Sequence, residues 1–337
     1  MSSLDLLLFG NVSQPPFCNN LFPPVRAFQR AFRTRVVEPQ RYAGFEPTGG
    51  ARPALVPDAA VDEHTDPMPD VIVCLGGALH FSERSLRELR NRRVLLAGFA
   101  LSDPYGLRAS LAIAREFDLF YTQDPQTLPD YAGIGVAAAR CDPATDAELY
   151  HPERSRLTRD PDCDVLYYGK WTEYRNIIVG ELARRVRVRV HAYAGETRWS
   201  VPAAPPCDTP DALRAALNGA RLALETARLD DAEGKYRGAF RITPRPFFAA
   251  SCGVPSLVET FPGLSEFFAP GEEIATYESP EAAGETAARL CRDEPARVAM
   301  GRRARSRALR DHTWDRRIEA FVLDVEKRRR AARGSTY

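Results

Sequence analysis

The sequence predicts an α/β protein made of two tandem, doubly wound parallel-sheet domains. Short apolar runs rich in β-branched residues alternate with helical stretches of about ten residues, which is the pattern of βαβ units. This alternation occurs twice, before and after a polar, proline-rich stretch at 140–162. The length of 337 residues also favours two domains over one. We therefore expect two Rossmann-like domains whose strand-end loops face a common cleft.

The first half contains one alternating series. A Pro-rich loop follows the first strand, and residues 39–69 have no periodicity, which predicts a long loop. The predicted strands are Leu4–Phe9, Arg35–Glu38, Asp70–Leu75, Val94–Phe99 and Asp118–Tyr121, and the predicted helices include Pro24–Phe32 and Leu107–Glu116.

The second half contains another series. The helix ending at Cys252-Gly253 leads into a short buried strand and a Gly263 loop, where a second short helix is expected. The predicted strands are Asp164–Tyr168, Val186–His191, Ala220–Leu224 and Val254–Val258, and the predicted helices include Tyr174–Arg185, Pro210–Leu217, 280–292, 295–310 and Asp315–Arg330. We expect an N-terminal domain at 1–155, a C-terminal domain at 156–311, and a terminal helix and basic tail at 312–337 that packs back toward the N-terminal domain.

Composition excludes several functional classes. The net charge of +1 gives no global field for nucleic acid or an anionic membrane. The seven cysteines and five histidines have no metal-ligand spacing, and Asp162-Cys163-Asp164 opens a strand, so we do not expect a metal there. The apolar run Leu4–Phe9 is too short for a membrane span or a signal peptide, so a cytoplasmic protein is expected. Lys occurs only at 170, 235 and 327, an arginine bias that indicates a GC-rich bacterium and, weakly, secondary metabolism.

Three motifs in the second half resemble one family. They are Arg245-Pro246-Phe247-Phe248-Ala249-Ala250-Ser251-Cys252-Gly253-Val254-Pro255, the run from Pro262-Gly263-Leu264 through Ile274 and Tyr277, and His312-Thr313-Trp314-Asp315-Arg316-Arg317. This order resembles the donor half of GT-B glycosyltransferases, specifically the spore-maturation-protein-like bacterial group. A looser similarity includes SDP at 102, YTQD at 121 and CDPATDAELYHP at 141.

The resemblance implies an enzyme with a GT-B fold. Its co-substrate would be a nucleotide sugar, of the UDP or dTDP type, with no cofactor and no essential metal. The sequence departs from the family at Phe248, where the family has a glutamate that holds the donor ribose. A ring there stacks or packs instead, and Glu225 or Glu266 is an alternative ribose ligand.

The donor diphosphate needs cations and N–H groups. Gly169 and Lys170 follow a predicted strand, with Arg175 about one helical turn later. The family places basic residues there, and a cation near a helix N-terminus suits an anion. The alternative is two solvated surface cations. Arg241 and Arg245 flank the start of the helix that ends at Cys252-Gly253, and both are further candidates for binding the diphosphate. The alternative is that they form salt bridges at the surface.

A second group of donor candidates lies in the loop after the buried strand. Gly263 and Leu264 offer N–H groups at a helix N-terminus, and Glu266 is a candidate for sugar hydroxyls. The alternative for Glu266 is an acidic residue favoured by the helix dipole alone. Lys235 lies in a polar loop and is more simply a solvent-exposed residue.

The first half would hold the acceptor. Gly10 and Asn11 end its first strand, and Gly77 follows the strand at 70–75, so each is a candidate for acceptor binding. His80 and Asp103 are the catalytic candidates, with His80 acting as a base on an acceptor hydroxyl. The alternatives are an exposed loop histidine and a turn-forming aspartate.

These features predict a glycosyltransferase that moves a sugar from a nucleotide donor to a small-molecule, possibly natural-product, or peptide acceptor. Retention of anomeric configuration is implied by the resemblance alone. Two alternatives stay open. One is a non-catalytic binding or partner protein with the same fold, which Phe248 would permit. The other is an enzyme that uses the fold on a sugar-like, non-glycosyl donor.

Overall fold

The computed structural model describes residues 4–11, 18–43, 45, 53–76, 78–153, 160–193, 196, 198–226 and 242–334. The chain divides into two compact units, Met1–Asp142 with Asp315–Tyr337 (unit 1) and Pro143–Trp314 (unit 2). Each unit is built around a six-stranded parallel sheet. The predicted α/β class with two parallel-sheet domains is therefore confirmed.

Unit 1 has the strand order β2-β1-β4-β6-β7-β8, with a separate two-stranded pair β3-β5. Every residue of β4 and β6 is buried, as expected for parallel strands that are covered on both faces. The strands are β1 (Asp5–Phe9), β2 (Arg33–Val37), β3 (Ala54–Leu55), β4 (Val71–Leu75), β5 (Leu79–His80), β6 (Leu95–Ala100), β7 (Leu119–Thr122) and β8 (Ala139–Arg140). The helices are α1 (Cys18–Ala31), α2 (Asp58–His64), α3 (Glu83–Asn91), α4 (Leu107–Ile113) and α5 (Leu128–Gly133).

Unit 2 has the strand order β11-β10-β9-β12-β13-β14, again with every neighbouring pair parallel. The strands are β9 (Cys163–Gly169), β10 (Val188–Ala192), β11 (Ala203–Ala204), β12 (Ala220–Glu225), β13 (Ser256–Glu259) and β14 (Ala275–Tyr277). The helices are α6 (Glu173–Ala183), α7 (Pro210–Asn218), α8 (Arg245–Ser251), α9 (Pro280–Arg292) and α10 (Glu294–Asp311). Helix α11 (Trp314–Gly334) follows and lies in unit 1 from Asp315 onward.

The structure corrects the prediction for residues 39–69. This stretch contains β3 and α2, not only loop. Helix α2 is seven residues long and buries only Ala60 and Val61. Two buried side chains are too few to produce a visible helical period, which is why the sequence indicated a loop.

Helix α1 begins earlier than predicted. Proline favours the first turn of a helix, so the expected start was Pro24. In the structure Pro23 and Pro24 lie inside a helix that begins at Cys18. Leu21, Val25 and Phe28 are buried at spacings of four and three residues, which matches one face of a helix packed on the sheet.

The division between the units lies at 142/143, whereas the sequence indicated 155/156. The residues just after the division pack into unit 2. Thr145 accepts a hydrogen bond from the backbone N–H of Trp314, at 2.9 Å, through its carbonyl oxygen. Tyr150 is fully buried and its ring stacks on Phe248, with the centroids 4.3 Å apart. A polar, proline-rich composition therefore did not mark a linker in this part of the chain.

Helix α11 is held in unit 1 by one aromatic side chain. The ring of Phe321 is 1% exposed and contacts four other rings, those of Phe28, Phe32, Phe99 and Tyr121, at centroid distances of 5.4–5.9 Å. Tyr121 also donates a hydrogen bond to the Asp324 carboxylate at 2.7 Å. These contacts pack helix α11 against the other elements of unit 1.

We predict that Phe321→Ala lowers the free energy of unfolding by about 3–5 kcal/mol, because it removes a buried ring and leaves a cavity. Urea unfolding followed by circular dichroism measures this. Leu323→Ala is the control on the same helix, since Leu323 is 63% exposed, and its expected change is within about 0.5 kcal/mol. Equal losses for the two variants would contradict this packing.

Candidate functional site

The candidate site lies at the carboxyl edge of the unit 2 sheet. Because the strands are parallel, β9, β10 and β12 all end at this edge, where ligands bind in open α/β sheets. Polar and aromatic side chains follow each strand end. We call the following five residues the carboxyl-edge cluster: Lys170, Arg175, Glu225, Thr243 and Arg245.

Arg245 is the centre of this cluster. Its Nε lies 3.0 Å from Oε2 of Glu225, and the two side chains are 15% and 1% exposed. The Thr243 hydroxyl donates to the same Glu225 oxygen at 2.7 Å and accepts from Arg245 Nε at 3.3 Å. One Nη of Arg245 donates to the carbonyl oxygen of Tyr168 at 3.3 Å. The guanidinium is thus fixed to the ends of two strands.

The electrostatics keep Arg245 charged. Burial alone would lower the pKa of Arg245, but the Glu225 carboxylate and the neighbouring hydroxyls of Tyr167 and Tyr168 raise it above the ordinary value. Oε1 of Glu225 is buried and has no hydrogen-bond partner within the described ranges, so the carboxylate depends on its other oxygen and on Arg245 for compensation. Removal of either partner would leave an uncompensated buried charge.

Gly169 is required for this arrangement. Its φ of +137° is a conformation that residues with a side chain rarely adopt. A Cβ at this position would lie 3.2 Å from the Tyr167 hydroxyl and 3.3 Å from an Nη of Arg245. The glycine therefore allows the end of β9 to approach the guanidinium closely.

Lys170 and Arg175 are placed by the same turn. Arg175 donates from Nε to the Thr226 hydroxyl and from one Nη to the Lys170 carbonyl, each at 3.1 Å, and it is buried. The Tyr167 hydroxyl donates to that carbonyl as well. The Lys170 side chain is exposed. The structure thus brings Gly169, Lys170 and Arg245 together, and Arg175 holds the turn.

The Gly263 loop differs from the prediction. The expected helix is a three-residue 3-10 turn, Leu264–Glu266. The Leu264 N–H donates to the Phe261 carbonyl at 3.3 Å and the Leu264 side chain is buried, so Leu264 serves the core. Glu266 has an exposed side chain, and its carbonyl accepts from Arg307.

Three candidates, Gly77, Lys235 and Arg241, lie outside the described residues. Phe248 is 1% exposed and stacks on Tyr150, so the ring belongs to the core of unit 2. Sequence reasoning did not identify Thr243 or Tyr193 as neighbours of Arg245. The sequence signal for them was weak, because it consisted only of a polar residue shortly before a helix and an aromatic residue shortly after an apolar strand.

In unit 1, Gly10 and Asn11 lie at the carboxyl edge of the sheet. A Cβ on Gly10 would lie 3.0 Å from the carbonyl oxygen of Leu75, which ends β4. The Asn11 side-chain oxygen accepts from the Gln40 backbone N–H at 3.3 Å. Both residues therefore close turns at this edge.

His80 is half-buried in unit 1. Its Nδ1 lies 3.9 Å from the Glu116 carboxylate, and the side chain is 29% exposed. Burial lowers the pKa of His80 and raises the pKa of Glu116. Burial therefore favours the neutral imidazole, the form that is able to accept a proton.

Asp103, the second catalytic candidate, lies in the interior of unit 1. Asp103 is fully buried, and its carboxylate accepts three hydrogen bonds, from Ser110 at 3.1 Å, Thr122 at 3.0 Å and Tyr131 at 2.6 Å. These contacts join the loop after β6 to β7 and to α5. In this position the carboxylate stabilises the loop after β6.

The described residues contain no group of three or more His, Cys, Asp or Glu side chains placed to hold a metal ion. At the amino end of β9, Asp164 pairs with Arg187 and Arg221.

Among the helices of the described chain, none has both the length and the apolar content that crossing a membrane requires.

Comparison with known proteins bears on the family and the fold of the chain. A family model described as glycosyl transferase-like matches residues 173–322. No curated protein matches the chain. The match includes α6, β12, α8 and thus most of the carboxyl-edge cluster, except Lys170.

Several solved structures share the fold. The HepE protein of Anabaena, in complex with UDP and glucose, is 13% identical with a TM-score of 0.63, over 96% of this chain and 100% of that chain. Sucrose-phosphate synthase from Thermosynechococcus elongatus is 13% identical with a TM-score of 0.63, over 99% of this chain and 100% of that chain. A glycosyltransferase from Rickettsia africae is 5% identical with a TM-score of 0.61, over 97% of this chain and 99% of that chain. These similarities show the GT-B fold, and the family match supports the predicted glycosyltransferase.

We predict that Gly169→Ala lowers the free energy of unfolding by about 1–3 kcal/mol, because it combines a strained φ with crowding against Tyr167 and Arg245. Gly271→Ala is the matched control, since Gly271 has a φ of +80° and no atom within 4 Å of an added Cβ. Its expected loss is about 1 kcal/mol. Urea unfolding compares the two, and a loss for Gly169→Ala no larger than for the control would contradict the close approach.

Proposed function

We propose that this chain is a glycosyltransferase that moves a sugar from a nucleotide-sugar donor to a small-molecule or peptide acceptor. The observation that carries the proposal is the Arg245 guanidinium, kept charged by Glu225 and fixed beside the Gly169-Lys170 turn. A fixed cation at the carboxyl edge of a parallel sheet suits a diphosphate. The fold is shared with HepE, whose structure is in complex with UDP and glucose.

The chemistry follows from where charge develops. Transfer breaks the bond between the anomeric carbon and the β-phosphate oxygen, so negative charge grows on the departing diphosphate while the acceptor oxygen bonds to the sugar. Lys170 and Arg245 would stabilise that charge without reorganising. We propose that these cations do so without a metal ion, that the configuration is retained, and that the nucleotide is UDP or dTDP.

The acceptor is assigned to unit 1. We propose that the carboxyl edge at Gly10 and Asn11 forms part of its binding surface, with His80 as the base that takes the proton of the acceptor hydroxyl. The neutral imidazole of His80, half-buried beside Glu116, supports this role. The spore-maturation-protein-like subgroup remains part of this proposal. So does a cytoplasmic location.

A second candidate is a non-catalytic nucleotide-binding protein. It is favoured by Phe248, which is packed in the core at the position of the family's ribose-binding glutamate. Mass spectrometry of the chain incubated with UDP-glucose and dTDP-glucose separates the two. Release of UDP or dTDP at a rate above the protein-free control supports the transferase, and nucleotide binding without any release supports the second candidate.

We predict that Arg245→Ala and Lys170→Ala each weaken UDP binding, Arg245→Ala by about tenfold or more, because each removes a charge-assisted contact to the diphosphate. Isothermal titration calorimetry measures the affinity. Arg302→Ala and Lys327→Ala are matched controls at exposed positions, and they are expected to bind as the unaltered chain does. Arg245→Ala leaves Glu225 unpaired, so Arg245→Lys, which keeps the charge, tests the site in a folded protein. Unchanged affinity for Lys170→Ala and Arg245→Ala would contradict the site.

We further predict that His80→Asn lowers kcat by about 100-fold or more while the affinity for UDP is unchanged, because the substitution removes a general base and leaves the donor site intact. Steady-state kinetics with a transferable acceptor measures this. His64→Asn is the control, since His64 is also 29% exposed in unit 1. Equal kcat values for the two variants would exclude His80 as the base.

A further inference from the structure

The loop between β10 and β11 is fastened to the turn after β9. The Glu196 carboxylate accepts a hydrogen bond from the Trp171 backbone N–H at 2.8 Å. The Trp171 indole N–H donates to the Arg198 carbonyl at 3.1 Å. Two independent hydrogen bonds, one from the backbone and one from the indole, therefore join Trp171 to this loop. Trp171 is the residue after Lys170.

The Arg198 guanidinium lies over the Trp171 ring. Its central carbon is 4.0 Å from the ring centroid, which is cation–π geometry. Arg198 is exposed and Trp171 is half-buried, with one part of the ring packed against the unit 2 core. The stack thus fixes the direction of a long side chain that would otherwise be mobile.

The charge around this stack is unbalanced. Within the described part of unit 2, Arg198 and Lys170 have no carboxylate within ion-pair distance, whereas Arg185, Arg214 and Arg221 each have one. The Glu196 carboxylate accepts a hydrogen bond from the Trp171 backbone N–H through Oε2. Two cations, one next to Trp171 in the chain and one over its ring, have no carboxylate partner among the described residues, so they create a local positive potential that attracts an anion.

The same loop adjoins the Arg245 ion pair. Tyr193, the first residue after β10, is near Arg175, Arg245 and Glu196, all of which affect the pKa of its hydroxyl. Burial raises that pKa, and the two arginines partly offset the rise. The loop therefore runs from the carboxyl-edge cluster to the Trp171 stack.

We propose that Arg198 is a further cation for the diphosphate of the nucleotide ligand, and that Trp171 is the positioning residue that holds it. This inference rests on the proposed function and names a binding residue from a second loop. Lys170, the residue before Trp171, and Arg198, which lies over the Trp171 ring, both contact the anion. The ligand class is a nucleoside diphosphate, since its anionic group is what the two cations recognise.

The test is the affinity of the full chain for UDP and for inorganic pyrophosphate, measured by calorimetry at low and high salt. Arg198→Ala is expected to weaken both ligands by about threefold to tenfold. It is also expected to reduce the dependence of affinity on salt, because one screened charge is lost. If Arg198 had only a structural role, Arg198→Ala would change the unfolding temperature without changing the salt dependence of the affinity. Arg302→Ala is the control and is expected to change neither.

A double-mutant cycle tests the positioning role. Trp171→Leu is expected to weaken UDP about as much as Arg198→Ala does, and the double variant no more than either, because Trp171 acts through Arg198. Trp171→Phe, which keeps a ring beneath the guanidinium, is expected to restore most of the affinity. Additive losses would contradict the positioning role of Trp171.

The outcomes separate this inference from the function on which it rests. If Arg245→Ala abolishes UDP binding while Arg198→Ala binds within twofold of the unaltered chain, the inference is wrong and the proposed function stands. If the unaltered chain binds neither UDP nor pyrophosphate, both are wrong. Loss of affinity in Arg198→Ala with an unchanged salt dependence would also overturn the role of Arg198 as a charge.

Discussion

The ion pair between Arg245 and Glu225 is the interaction on which the site of unit 2 depends. It connects the first residue of α8 with the last residue of β12, and through the Tyr168 carbonyl with β9. Glu225 is buried and Arg245 is only 15% exposed, so their attraction is little screened and neither tolerates loss of the other. One Glu225 oxygen has no hydrogen-bond partner among the described residues. The pair therefore fixes a charged guanidinium beside the turn of Gly169 and Lys170, where a ligand's phosphates would need it.

The two units use buried carboxylates in opposite ways. In unit 1, Asp103 accepts hydrogen bonds from three hydroxyls of the described residues and lies inside the fold. In unit 2, Glu225 is paired with an arginine at the edge of the sheet, and the cations Lys170 and Arg198 have no carboxylate partner among the described residues. The same parallel topology thus encloses a carboxylate in one unit and supports the proposed anion-binding edge in the other.

The sequence predicted the strands and helices best where burial imposes a strong period. Val254–Val258, Ala220–Leu224 and helix 280–292 are close to β13, β12 and α9 in the structure. Helix α2 was missed because it buries only two side chains. The partner of Arg245 lies twenty residues earlier in the chain, and no local spacing indicates a pair formed by folding. The Trp171–Arg198 stack was missed for the same reason. The burial of Asp103 was not foreseen, because a strand-end position indicates where the backbone goes and not whether the side chain is enclosed.

The central claim is that the carboxyl edge of unit 2 binds a diphosphate through Arg245 and the neighbouring lysine. A crystal structure of the full chain with UDP tests it most directly. We expect phosphate oxygens within hydrogen-bonding distance of Arg245 and Lys170, with the Arg245–Glu225 pair intact. A diphosphate bound away from both residues, or a guanidinium turned toward Glu225 and separated from the phosphates by protein atoms, would contradict it.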